Sequence, residues 1–228
     1  MTSLKSLVWT ARAILLDFDG PVCHLFSGLP AREIAHDIRS FLLRKGESLP
    51  ESMMSASDPL ALLRWTGAVA PHLLSEIEEI QTVSEIKAAG LAAPTPGAAE
   101  LVRSAAALGL PVVIVTNNSA SAVRAYLERR ILDASIMGIS ARVPGRPDLM
   151  KPDAHLVTKG VEISRQSAHT CLLIGDSSTD MQAAKKAGAH SVGYAKNPSK
   201  IPELADAGAD CVVQGIVDVV DAMAHQRS

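Results

Sequence analysis

Three short apolar runs constrain this chain most: Ala13-Ile14-Leu15-Leu16, Val112-Val113-Ile114-Val115 and Cys171-Leu172-Leu173-Ile174. Each is strand-length and lacks the apolar/polar alternation of a half-wet sheet. Each therefore suits a strand covered on both faces, as in a parallel sheet wrapped by helices. Weaker runs of the same kind lie at 191–194 and 210–213. Between the runs, helical patterns occupy 97–108, 119–130, 153–161, 179–187 and 216–224. This alternation predicts an α/β fold, doubly wound about a parallel sheet.

One stretch does not alternate. From about 25 to 93 no strand pattern is visible, and helices are expected over 31–45, 59–67 and 72–89. Breakers such as Gly46, Pro50, Asp58-Pro59, Gly67, Pro71 and Gly90 separate them, and Pro94-Thr95-Pro96-Gly97 reads as a return hinge. The expected organisation is a core of 1–22 and 94–228, with a small all-helical domain inserted at 23–93.

Composition removes several function classes. With 22 basic against 24 acidic residues and a net charge of -2, the chain lacks the basic excess of a phosphate-neutralising nucleic-acid binder. Aromatics at 3% leave little for base stacking. Cys23, Cys171 and Cys211 are odd in number and far apart, which suits reduced thiols. No apolar run approaches the roughly 20 residues of a membrane span. Met1 to Leu16 carries Lys5 and Arg12 but no long apolar stretch, so no signal peptide is expected and the expected location is cytoplasmic.

The chemistry collects where the runs end, because ligands of a parallel sheet sit beyond the carboxyl ends of its strands. The first run ends in Asp17-Phe18-Asp19-Gly20, the second in Thr116-Asn117-Asn118, the third in Gly175-Asp176, with Asp180 four residues on. Lys151-Pro152-Asp153 precedes the third run, and Pro152 is expected in the first turn of a helix. Four carboxylates on one rim repel one another, and an oxygen-liganded divalent cation such as Mg²⁺ relieves that repulsion. Thr116 and Lys151 are then left to hold an anion. These are the parts of a phosphoryl-transfer site.

Taken in order, Asp17-Phe-Asp19-Gly20, Thr116-Asn117, Lys151-Pro152 and Gly175-Asp-Ser-Ser-Thr-Asp180 resemble the motifs of the haloacid-dehalogenase superfamily. The likeness is to its phosphatase branch, with a helical cap after the first strand, and covers nearly the whole chain. It implies a Rossmann-like core, with Asp17 as the nucleophile that becomes an aspartyl-phosphate and Asp19 as general acid/base. It implies Mg²⁺ held by Asp17, Asp176 and the Asp19 carbonyl, with Asp180 as a further ligand or acting through water. Phe18, Thr116, Asn117 and Lys151 would bind phosphate. The implied substrate is a small phosphorylated metabolite; cap arrangement and length resemble phosphoglycolate phosphatases. The chain would act as a monomer or homodimer.

Other readings share parts of this pattern. A 2-haloacid dehalogenase typically lacks the second Asp, and Asp19 speaks against it. A sugar-phosphate mutase keeps both. A phosphonatase would need a cap lysine, Lys45 or Lys87. A non-catalytic binding protein rests on one departure: Pro21 stands where the family usually has Thr or Val, and proline removes an N–H. In the insertion, His24, His36, His72, Arg32, Arg39, Arg44 and Arg64 are candidates to meet a substrate. Cys23 is expected to be a buried or hinge thiol, and Trp65 and Met53-Met54 cap core.

Overall fold

A computed structural model describes residues 2–130 and 132–224. Among them, β1 (Ala13–Leu16), β4 (Val112–Val115), β5 (Gly138–Ser140), β6 (Cys171–Gly175), β7 (His190–Tyr194) and β8 (Cys211–Val213) form one sheet in the order β5-β4-β1-β6-β7-β8. Every pairing is parallel. The expected α/β fold with a Rossmann-like parallel sheet is present.

The apolar runs work as expected of doubly covered strands. On one face Ile14, Leu16, Val112, Ile114, Leu172 and Ile174 pack against Leu101, Val102, Val219 and Met223. These belong to α6 (Ala98–Ala107) and α11 (Ile216–Ala224). On the other face Ala13, Leu15, Val113, Val115, Cys171 and Leu173 meet Leu156, Val157, Ala183 and Ala184, from α8 (His155–Ser164) and α9 (Ser178–Ala187). The period of two sends alternate residues to opposite layers. Each large aliphatic side chain so buried contributes about 1.5–3 kcal/mol. On the first face α7 (Ala120–Arg130) adds Tyr126, which meets Phe18 edge-on with ring centroids 5.4 Å apart.

The helical insertion comprises α2 (Ala31–Arg44), α3 (Glu51–Met54), α4 (Pro59–Val69) and α5 (Leu74–Leu91). Ile34, Ile38, Leu42, Leu62, Leu63, Leu74 and Ile77 form its own apolar cluster. That cluster also takes in Met150. At its far end α5 contributes Ala88 and Ala89 to the main core. The two connections pair as a ribbon, β2 (Cys23–His24) with β3 (Ala93–Pro94).

Some elements escaped the sequence reading. They include α1 (Leu4–Thr10), the four-residue α3, the three-residue edge strand β5, the ribbon and the six-residue α10 (Ile201–Asp206), all too short to carry a period. One expectation is corrected. Pro152 does not sit in a first helical turn, because α8 begins at His155. The Lys151 backbone is held instead by the Asn117 side chain, whose Oδ1 accepts the Lys151 N–H at 2.8 Å and whose Nδ2 donates to its carbonyl at 3.1 Å. No helix among the described residues is long and apolar enough to cross a membrane.

Candidate active site

Register brings the acidic tips together. Leu16 of β1 lies opposite Ile114 and Ile174, so Asp17, Thr116 and Asp176 leave three adjacent strands within two residues of that level. The chain runs from β1 to β4 on one side and returns to β6 on the other, which is the switch point where open α/β sheets bind ligands. A cavity of about 490 Å³ opens there, lined among others by Asp17, Asp19, Thr116, Asn117, Lys151 and Asp176.

Lys151 is the centre of the arrangement. Its side chain is 2% exposed. Its ammonium donates to Asp17 Oδ1 at 2.8 Å, to the Val115 carbonyl at 3.0 Å and to Asp180 Oδ1, which uses all three N–H bonds. Burial opposes the charge, but Asp17 and Asp180 overcome it and hold the lysine protonated, well above its usual range. The Asp17 carboxyl is pushed up by burial and by Asp180, against the pull of Lys151. Asp176 is pushed up by burial too, against Lys200, whose ammonium lies 3.3 Å from Asp176 Oδ2. Lys151 and Lys200 thus bring two positive charges to three carboxylates, which leaves excess negative charge.

Oxygens of Asp17, Asp176 and Asp180 lie within 4.8 Å of one another. An all-oxygen donor set with unbalanced negative charge fits a hard divalent cation such as Mg²⁺. Asp180 is the most committed of the three. It closes a capping box at N3 of α9, accepting the Ser177 N–H and hydroxyl on Oδ2 while Oδ1 takes Lys151. Gly20 is obligatory beside this cluster: at φ +110° a Cβ would stand 2.5 Å from Asp176 Cγ.

Asp19 stands apart, accepting the Leu25 N–H on Oδ1 at 2.9 Å. Burial lifts its carboxyl to about 6. The Phe18 side chain is turned into the core against Tyr126, so any contact with an anion runs through its backbone. Thr116 is buried and locked in a local turn. Its hydroxyl donates to Asn118 Oδ1 at 3.0 Å and accepts the Asn118 N–H at 3.1 Å.

Pro21 costs this turn nothing visible. The Val22 and Cys23 N–H groups close onto the Phe18 carbonyl, and the Gly20 N–H onto the Cys23 carbonyl, so the hydrogen bonds pass around position 21. Cys23 is buried in the ribbon, its thiol pushed up by burial.

Of the cap cations singled out in the sequence, only Arg64 lines the cavity; its Nη2 donates to the Lys151 carbonyl at 2.7 Å. His24 lines a separate cavity with Lys196 and Lys200. His36, His72, Arg32, Arg44, Lys45 and Lys87 are exposed. Trp65 and Met53 pack against the insertion's apolar cluster, while Met54 is exposed. Sequence reasoning missed Lys200 on Asp176 and the Glu85–Arg142 pair behind Thr116. No local pattern marks either.

No curated protein matches the sequence. Among solved structures, a hydrolase from Pseudomonas syringae superposes with a TM-score of 0.69 at 20% identity, over 94% of this chain and 98% of that one. CbbY from Rhodobacter sphaeroides, in complex with phosphate, gives 0.68 at 18% identity, over 92% and 99%. A HAD family hydrolase from Deinococcus radiodurans, with bound phosphate and sodium, gives 0.64 at 22% identity, over 96% and 97%. These likenesses establish a shared fold. The family model for haloacid dehalogenase-like hydrolases matches residues 11–188, the span that contains every acidic tip, Thr116 and Lys151. The chain belongs to the haloacid dehalogenase-like hydrolase family.

Proposed function

We propose that the protein is a Mg²⁺-dependent phosphomonoesterase acting on a small phosphorylated metabolite. The observation that carries this reading is the buried Asp17–Lys151 contact at 2.8 Å, at a strand end shared with Thr116 and a carboxylate cluster. A nucleophile, an anion clamp and a cation site then face one cavity. The phosphate bound in CbbY and in the Deinococcus hydrolase supports the same chemistry.

In the first step an Asp17 carboxylate oxygen forms a bond to phosphorus as the ester P–O bond breaks. Asp19, carrying a proton, gives it to the departing alkoxide. In the second, Asp19 takes a proton from water, whose oxygen attacks phosphorus and frees inorganic phosphate and Asp17. The backbone N–H groups of Phe18 and Asn117 hold the phosphoryl oxygens, joined by Lys151 as it turns one N–H from the Val115 carbonyl and by Thr116 as it turns its hydroxyl proton from Asn118. Asp17, Asp176 and the Asp19 carbonyl would hold Mg²⁺, with Asp180 bracing Lys151 beside them. The ion supplies charge neutralisation of the phosphoryl group. Segment 23–93 serves as the cap and places Arg64 on the cavity wall. Monomer or homodimer, in the cytoplasm, completes the reading.

The test is phosphate release from a panel of small phosphomonoesters, phosphoglycolate included, with Mg²⁺ and with a chelator. Turnover that vanishes under chelation supports the proposal. Binding of Mg²⁺ and phosphate without turnover of any member would favour a binding protein instead.

Two further outcomes are expected. With alkyl phosphates, which need a protonated departing oxygen, the first step should slow as pH rises above about 6, where Asp19 loses its proton. A 4-nitrophenyl ester needs no such proton. Its pH profile should lack that limb, and identical profiles for the two esters would remove Asp19 as the acid. Gly20→Ala drives a Cβ into Asp176. Calorimetric titration should show Mg²⁺ affinity weakened roughly 10–100-fold, as when a ligand loses its setting; an unchanged affinity would contradict a ligand role for Asp176.

A further inference from the structure

Behind the anion-binding loop lies a buried ionic network that the chemistry above does not use. Glu85 stands on α5, the helix that leaves the insertion, and its side chain is 0% exposed. Arg142, just past β5, meets it with both prongs of the guanidinium: Nη1 to Oε1 at 2.8 Å and Nη2 to Oε2 at 3.2 Å. Glu85 also accepts the Ser119 N–H at 2.8 Å, Asn118 Nδ2 at 3.3 Å and Gln81 Nε2 at 3.0 Å.

The same network grips the loop that runs from Thr116 to Ser119. Arg142 Nη1 donates to the Asn117 carbonyl at 2.8 Å, and the Arg142 N–H to the Asn118 carbonyl at 3.1 Å. Glu85 fixes which way the Asn118 amide points: its Nδ2 faces the carboxylate, so its Oδ1 faces the Thr116 hydroxyl. The orientation of Thr116 is thereby set two hydrogen bonds away.

A buried ion pair is a poor way to gain stability. Taking both charges out of water costs about what their attraction returns, and apolar replacements of similar volume are often as stable. Here the pair sits where α5 passes between two apolar clusters, Leu74 and Ile77 on one side and Ala88 and Ala89 on the other. Apolar side chains could have filled that seam. What they could not do is bind a backbone N–H, a carbonyl and an amide of one loop at defined points.

We propose that Glu85, through Arg142, Asn118 and Ser119, is a positioning residue for phosphate binding, joining the exit helix of the insertion to the loop that carries Thr116 and Asn117. The inference rests on the phosphatase reading. Its ionised state is secured locally: burial disfavours the charge, but Arg142 and the donors around it hold the Glu85 carboxyl below its usual range.

The test compares two variants with wild type by thermal melting, by calorimetric binding of inorganic phosphate with Mg²⁺, and by kcat and KM. Arg142→Lys keeps the charge balance and loses the fork. The double variant Glu85→Leu/Arg142→Met fills the seam without charge. Both are expected to fold, the double melting below wild type because the Ser119 N–H, the Asn118 and Gln81 amides and the Asn117 carbonyl lose partners. Phosphate affinity should fall roughly 10–100-fold in the double, the scale of a small misplacement in a binding constellation, with KM rising by more than kcat falls. Arg142→Lys should lie between. Wild-type phosphate affinity in the double would overturn the proposal and leave the pair a structural element. If the double does not fold, Arg142→Lys decides: unchanged phosphate affinity overturns the proposal, and a weakened affinity at unchanged melting temperature upholds it. A wild-type protein that binds no phosphate would overturn the phosphatase reading and this role together.

Discussion

Asp17→Asn is expected to abolish phosphate release while leaving the fold as stable as before. The loss should be at least ~10⁴-fold, the scale on which removal of a covalent nucleophile is felt. The amide cannot form the phospho-enzyme, yet it is nearly isosteric, and its oxygen can still accept from Lys151. Stability should hold or rise slightly. Asp17 is buried and its carboxyl is pushed up by desolvation and by Asp180, so removing its charge relieves a repulsion. Lys151 keeps Asp180 as a counter-ion. Paired assays of phosphate release and thermal melting check both halves. Residual turnover within about tenfold of wild type, beyond a deamidated trace, would exclude Asp17 as the nucleophile.

Lys151→Met acts on the same contact from the other side and should damage stability as well as activity. The substitution leaves Asp17 and Asp180 buried without their shared cation. Breaking a buried pair in this way costs about 3–5 kcal/mol. At roughly 2–4 °C per kcal/mol for a chain of this size, melting should fall by roughly 6–20 °C. The deficit should depend on pH. Without Lys151 the Asp17 carboxyl, already raised by burial, loses the cation that pulls it down and rises further, so the native state binds a proton that the unfolded state has released. Stability then falls as pH rises, and the gap to wild type should be smaller near pH 4 than near pH 8. Mg²⁺ should restore part of it, since a ligand of the native state stabilises by mass action. A variant that melts like wild type at pH 8 would mean that the carboxylates take up protons or water without cost, and the ionic account of the site would fail.

Much of this molecule was legible in its sequence. The runs at 13–16, 112–115 and 171–174 are local patterns, and the structure uses each as a strand covered on both faces. Residues that end such strands must reach one rim, which gathers Asp17, Thr116 and Asp176, and the Lys151-Pro152 motif ahead of the third run adds Lys151. The helical insertion was visible for the same reason, as a stretch of period 3.6 with no apolar run. Short elements were invisible. Gly138–Ser140 has three residues, too few to show a period, and with that strand unseen nothing placed Arg142 behind the phosphate loop.

The sequence by itself determined which strands form, what stands at their ends, and so the kind of chemistry the rim can perform. Only the tertiary structure decided how the charges are paired. Lys151 is 134 residues from Asp17 and 29 from Asp180, and Glu85 is 57 residues from Arg142. A glutamate on a helix reads as a solvated charge until a distant arginine is buried against it. Asp180 reads as a ligand or as a helix N-terminal charge, and only the folded chain brings its oxygens to a helix cap, to Lys151 and to the Asp17–Asp176 cluster together. Periodicity is a property of neighbours along the chain. Desolvation and Coulomb pairing are properties of neighbours in space, and those exist only once the sheet has closed.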